Sequence, residues 1–134
     1  MENKLYANFD YSELPLIKIE LTGEDATDEN FEEYLKETAD IPSKTERYIS
    51  LVDTTKGSFL LAKYRILQGK YLEDNKERIK KQAIAIILIA PSFLHRTILK
   101  GIFLVKSYPS PVFIVSNKEE GMEKVNELLE EELK

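Results

Sequence analysis

The side chains with the most chemical reach in this chain fall just after its apolar, strand-like runs. Asp53-Thr54-Thr55 and Ser58 follow Tyr48-Ile49-Ser50-Leu51-Val52, and Ser92 and His95 follow the run Ala83 to Ala90. Ser116-Asn117 follow Val112-Phe113-Ile114-Val115, and Thr22 follows the alternating Ile17, Ile19 and Leu21. Open α/β sheets bind ligands outside the carboxyl ends of their parallel strands, so this recurrence defines a candidate strand-end cluster. Ser58 and Ser92 fall where helices are expected to begin. Free N–H groups and the helix dipole attract anions there, which suits a phosphate or a phosphorylated side chain. Helix caps and turns require the same residue types, and both readings stand.

Catalytic chemistry finds little to work with. Asp53 and Lys118 have the types of a phosphoacceptor and its matching cation, but that arrangement needs an acidic pair after an early parallel strand. Glu24-Asp25 is the only such pair, and the strand count before Asp53 does not fit. Asp53 is therefore expected to cap its own loop, Thr54 to Gly57. Lys56-Gly57-Ser58 lacks the order and the upstream Gly of a phosphate-binding loop, which excludes nucleotide hydrolysis of that type. His95 is the single His and has no carboxylate near it in sequence. The absence of Cys excludes disulfides, a CxxC redox pair, thiolate zinc and a Cys nucleophile. The expectation is a protein that is not an enzyme and needs no metal or cofactor.

The elements that must position these residues are legible from length and periodicity. The 134 residues, 43% of them hydrophobic, suit one domain over 1–134 with a substantial core. Leu5, Ala7, Phe9 and Tyr11, then Ile17, Ile19 and Leu21, alternate with polar neighbours as two half-exposed strands. Thr27 is placed to cap a helix through Phe31, Tyr34, Leu35 and Thr38 that ends before Pro42. The strand Tyr48 to Asp53 leads into a long helical pattern from Ser58, with a break at Asp74-Asn75 and a short basic turn, Lys76 to Gln82. Ala83 to Ala90 has no alternation and reads as a central strand covered on both faces. A helix is expected from Phe93 to Lys106, a strand over Val112–Val115, and a closing helix carrying Met122, Val125, Leu128, Leu129 and Leu133. The order ββαβαβαβα is that of an α/β fold with a mixed β-sheet flanked by helices.

Charge runs acidic, basic, acidic along the chain, with nets of −8 over 1–62, +7 over 63–106 and −4 over 107–134. The basic middle suits phosphate or nucleic acid. It equally suits solvated helix faces, and the sequence pI of about 5.1 favours those and no nucleic-acid partner. Ala83 to Leu94 is too short for a bilayer and is divided by Pro91, so no transmembrane segment is expected. Met1 to Asp10 is polar and mildly acidic, unlike a signal peptide, which points to a cytoplasmic protein.

The helix expected from Phe93 is apolar around most of its circumference, with Phe93, Leu94, Leu99, Ile102 and Phe103 among its side chains. Such a helix is either deeply covered or has a second partner: a protein, a second copy of the chain, or an apolar ligand. Together with the element order, the strand ending Leu51-Val52-Asp53, and the stretches AIAIILIAPSFLHRTILKGIFL and SYPSPVF, it resembles the STAS domain. This is the SpoIIAA-like, anti-sigma-factor-antagonist fold, found also in small bacterial STAS/SEC14-like proteins. The resemblance implies a non-enzymatic interaction module in bacterial signalling or regulation, with an anti-sigma-type kinase as partner. It also implies a phosphorylated Ser or Thr at the start of the helix after that strand. The position falls on Ser58, with Thr54 and Thr55 as less exact matches; the chain reads Asp53-Thr54-Thr55-Lys56-Gly57-Ser58 where the family has an Asp-Ser-Ser/Thr-Gly signature. The SEC14-like relatives imply an alternative, a carrier of a lipid or other apolar small molecule.

Overall fold

The computed structural model describes residues 4–57, 60–94, 96–97 and 108–133. The strands are β1 (Ala7–Glu13), β2 (Leu16–Leu21), β3 (Tyr48–Asp53), β4 (Ala83–Ile89) and β5 (Val112–Val115). The helices are α1 (Asp28–Asp40), α2 (Ala62–Asp74), α3 (Lys76–Gln82) and α4 (Lys118–Glu132), with a 3₁₀ turn at Ile41–Ser43 after α1. Phe93, Leu94, Arg96 and Thr97 are helical as well. Among the described residues no helix is long and apolar enough to cross a membrane.

The five strands form one mixed sheet in the order β1-β2-β3-β4-β5. β1 runs antiparallel to β2, and each later neighbour is parallel. Parallel neighbours need crossovers of one hand, and crossovers that always advance in the same direction fall on one side of a sheet. The buried clusters agree. Ile17, Ile19, Tyr48, Val52 and Leu88 pack with Ile41, Leu72 and Ile79 of the crossovers. The alternate residues Ile49, Leu51, Ala85, Ile87 and Ile89 pack with Val125 and Leu128 of α4. β4 lies between the two layers, which is why its sequence is apolar without alternation.

Local chemistry sets the ends of α1. Thr27 Oγ1 accepts from the Asn30 N–H at 3.1 Å, and Asn30 Oδ1 accepts from the Thr27 N–H at 2.8 Å, a reciprocal capping box. The same buried Asn30 amide donates to the Lys4 and Asp25 carbonyls and ties the chain's start to the helix. Two elements depart from expectation. β1 runs Ala7 to Glu13 instead of starting at Leu5. α2 begins at Ala62, four residues beyond Ser58, and its preceding residue, Leu61, offers no side-chain cap. The reason is packing: Leu60 is buried against Phe31 and Tyr64, and Leu61 is extended, so the helix begins only after the Leu60 side chain is in the core.

α4 approaches the sheet closely at Gly121, where a Cβ would stand 2.9 Å from Leu51 Cδ1. Glycine inside a helix costs about 1 kcal/mol relative to alanine. Here it lets α4 sit directly on β3 and β4. Gly121→Val is expected to lower unfolding stability by about 1–3 kcal/mol through overpacking, measured by urea denaturation. Unchanged stability would mean that this contact does not set the helix height.

Candidate functional site

The strand-end residues do converge, but most of their polar atoms are committed to local bonds. Asp53 Oδ1 accepts from the Thr55 N–H at 2.9 Å and the Thr55 hydroxyl at 2.6 Å, closing its own loop as expected. Thr54 is 4% exposed, and its hydroxyl donates to the Ile89 carbonyl at 2.6 Å, locking the β3 loop onto the end of β4. Gly57 completes the turn by donating to the Thr54 carbonyl. The loop's hydroxyls therefore differ: Thr54 is buried and bonded, whereas Thr55 lies at the surface. Ser58 lies outside the described residues.

The ends of β4 and β5 are joined in the same way. Arg96 reaches the Ala90 carbonyl through Nε at 3.4 Å and the Ser116 hydroxyl through Nη2 at 2.7 Å. Asn117 caps α4 by accepting from the Glu120 N–H at 2.9 Å, and Glu120 Oε2 accepts from the Ser116 N–H. Ser92 is exposed beside them. Phe93 and Leu94 point outward, 86% and 66% exposed. His95, Leu99, Ile102 and Phe103 lie outside the described residues.

An open hollow of about 350 Å³ crosses the α4 side of the sheet next to this cluster. Asp10, Lys18, Glu20, Asp53 and Lys118 line it. α4 covers the sheet from β3 onward, so β1 and β2 present polar residues on this face, and the alternation of their sequences records it. Asp10 is held below the usual carboxylate range, chiefly by hydrogen bonds from Ser12 and less by Lys18 and Lys118. Asp53 and Lys118 share the hollow. Glu24 and Asp25 line a different one, with Lys4, Thr27 and Asp28. Among the described residues no group of three His, Cys, Asp or Glu could hold a metal ion.

On the other face, sequence reasoning missed a feature. A cavity of about 50 Å³ lies between the sheet and α1, α2 and α3. Tyr34, Tyr48, Ser50, Gln68, Tyr71 and Tyr108 supply its polar lining, with Ile19, Val52 and Leu72 among the apolar walls. All seven tyrosines of the chain belong to the buried clusters of this face. Burial raises the phenol of Tyr48 to about 12 and lifts Tyr34 and Tyr108 further above the ordinary value. The only sequence signal was the number of tyrosines; no spacing announces that residues 34, 48, 71 and 108 meet.

No protein-family profile, no curated protein and no solved structure matches this chain.

Two predictions follow from this chemistry. Asp53→Asn keeps an acceptor oxygen for Thr55 and is expected to hold stability within about 0.5 kcal/mol. Thr54→Val removes a buried hydrogen bond and is expected to cost about 1 kcal/mol. Chemical denaturation of both variants checks the ranking, and an Asp53→Asn loss exceeding that of Thr54→Val would overturn it. The second concerns alkali. Folded-state phenol values raised above 10 stabilise the fold fully below pH 10, and that contribution is lost as pH rises through the folded values. Melting temperature is expected to fall steeply from about pH 10 to 12, with tyrosinate absorbance appearing together with unfolding. Early ionisation of all seven tyrosines in the folded protein would contradict it.

Proposed function

We propose that this chain is a non-enzymatic, STAS-like interaction module of bacterial signalling that meets a protein partner with the carboxyl end of its sheet. The observation that carries the reading is the exposure of Phe93 and Leu94 beside strand-end polar groups already bonded to one another. Leu61, just before α2, is 60% exposed as well. Large apolar side chains grouped in water mark interaction surfaces, and aromatic residues anchor them. The strand-end residues support such a surface by rigidity: Thr54 and Arg96 fasten β3 to β4 and β4 to β5 beneath it.

A phosphorylation switch fits the same end. Thr55 is the described loop hydroxyl that a kinase reaches without unfolding the β3 end. A phosphate there adds nearly two negative charges against the Asp53 carboxylate and replaces the Thr55–Asp53 bond with repulsion, so the loop must re-form. Modification of Thr54 requires its buried bond to Ile89 to open first. The carrier reading finds less support among the described residues. The cavity of about 50 Å³ is far below the roughly 300–1,000 Å³ of pockets that enclose drug-sized ligands, and the larger hollow of about 350 Å³ is open and carries the charged side chains of Asp10, Lys18, Glu20, Asp53 and Lys118.

The test is calorimetric titration of the purified chain against proteins encoded beside its gene, an anti-sigma-type kinase first. The Phe93→Asp/Leu94→Asp variant is expected to keep its melting temperature and to bind at least about 30-fold more weakly, the loss of one hot-spot contribution. Equal binding by the double variant would remove this face from the interaction. Incubation with that kinase and ATP, read by peptide mass spectrometry, is expected to label Thr55 or Ser58; a chain bound but unmodified would leave a module without the switch.

A further inference from the structure

The two edges of the sheet are built differently. β1 carries Asp10 and Glu13 and shifts register between them, which are devices that keep an edge strand from pairing with another chain. β5 reads Val-Phe-Ile-Val, with no charge, no Pro and an unbroken register against β4. The Ile86 N–H donates to the Pro111 carbonyl and the Ala90 N–H to the Val115 carbonyl, so Pro111 and Val115 turn their backbone groups to β4. The period of two then turns the N–H and C=O of Val112 and Ile114 to the opposite side, where no described strand lies. Ser116 ends this outward row, because Glu120 Oε2 accepts from its N–H at 2.9 Å. The side chains of Val112 and Ile114 are 38% and 36% exposed.

We propose that β5 accepts an extended segment of a partner protein as a further strand, and that this segment alternates apolar with basic side chains. Main-chain bonds to Val112 and Ile114 supply the pairing, and the two faces of the added strand supply the selectivity. On the α4 side, Glu120, Lys124, Glu127 and Glu131 recur at i, i+4, i+7 and i+11, which is one stripe of the helix. Two contacts fix that stripe on the β5 side: the Glu120 bond to Ser116, and the Lys124 ammonium over the Phe113 ring at 4.2 Å from its centroid. Lys124 is paired with Glu127 at 3.3 Å, so the stripe is net negative. Alternate side chains of an added strand pass beneath these carboxylates, where Lys or Arg finds opposite charge. Phe113 and Val115 pack with the α4 cluster, so Val112 and Ile114 occupy the other face, and apolar side chains beside them extend an apolar row. A second copy of β5 would bring a second acidic stripe against the first, and like charges oppose that pairing.

Fluorescence anisotropy of short labelled peptides against the full chain tests this. A peptide alternating Val and Lys is expected to bind saturably. An alternating Val and Glu peptide, and a peptide of the same Val and Lys content in two separate blocks, are each expected to bind about ten-fold more weakly or worse. Ile114→Pro deletes an outward N–H at a position where an edge strand tolerates proline, and is expected to abolish binding while the chain still melts cooperatively. Should that variant fold poorly, Glu127→Lys/Glu131→Lys decides: it is expected to weaken the Val-Lys peptide about ten-fold and to favour the Val-Glu peptide. Equal binding of the alternating and block peptides, or wild-type affinity in both variants, would overturn the proposal. A dimer of the chain alone, seen by sedimentation and dissociated by Ile114→Pro, would assign the edge to a second copy and overturn it as well.

Discussion

Everything in this molecule depends on the order in which its parallel strands pair. β2, β3, β4 and β5 lie side by side in the sequence of their synthesis, so each crossover steps the same way and α1, α2 and α3 share one face. A doubly wound sheet reverses direction partway and opens a crevice at the reversal, where ligands bind. The described strands of this sheet never reverse, so their order creates no such switch point. Its functional opportunities are therefore displaced: to the strand-end loops, to the half of the other face that α4 leaves uncovered, and to the seam between the crossover helices and the sheet.

The two faces solve the burial problem with different materials. Beneath α4 the contacts are mainly aliphatic, Leu, Ile, Val and Ala, and Gly121 lets the helix settle on them. Beneath the crossovers the layer is aromatic. Tyr6, Phe31, Tyr34 and Tyr64 meet edge-on or tilted at centroid distances of 5.1–5.5 Å, which gives each pair stabilisation beyond its buried area. A tyrosine brings its hydroxyl into the core with it, and that hydroxyl must find a partner or face a void. Tyr64 reaches Asp28, which also pairs with Lys63, and Tyr11 reaches Glu37. Those partners stand at the periphery. Deeper in, tyrosines face one another, and the polar-lined cavity is the consequence.

What the sequence made legible follows from which forces are local. The helix cap at Thr27 and the loop cap at Asp53 are decided within three residues, and both were readable from residue type and spacing; the reciprocal bond from Asn30 and the cap at Asn117 are as local but emerged only in the structure. The alternation of β1 and β2 against the uniform apolarity of β4 also reported coverage on one or two faces. The start of α2 was not readable. Burial of Leu60 against Phe31 and Tyr64 outweighs capping by a serine, and that contact spans about thirty positions of the chain. Strand order was illegible for the same reason: periodicity says which face a residue takes, never which strand lies beside it. The tyrosine cavity combines both difficulties, since its polar lining comes from α1, α2, β3 and a residue just before β5.

The strand-end cluster shows how residue types that suggest chemistry can instead serve rigidity. Asp53, Thr54, Ser116 and Asn117 are polar, convergent and placed where α/β proteins bind ligands, yet each has a bond that holds a loop or a helix end. The buried Thr54–Ile89 bond and the Arg96 bridge staple three neighbouring strands at the end where loops would otherwise be loosest. A stapled end loses little conformational entropy when something docks on it, which lowers the free-energy cost of binding without adding a contact. The same preorganisation is absent from a polar cluster left free to solvate itself. Phe93 and Leu94 are exposed beside that stiffened end, so whatever meets them meets strand-end loops that are already fixed.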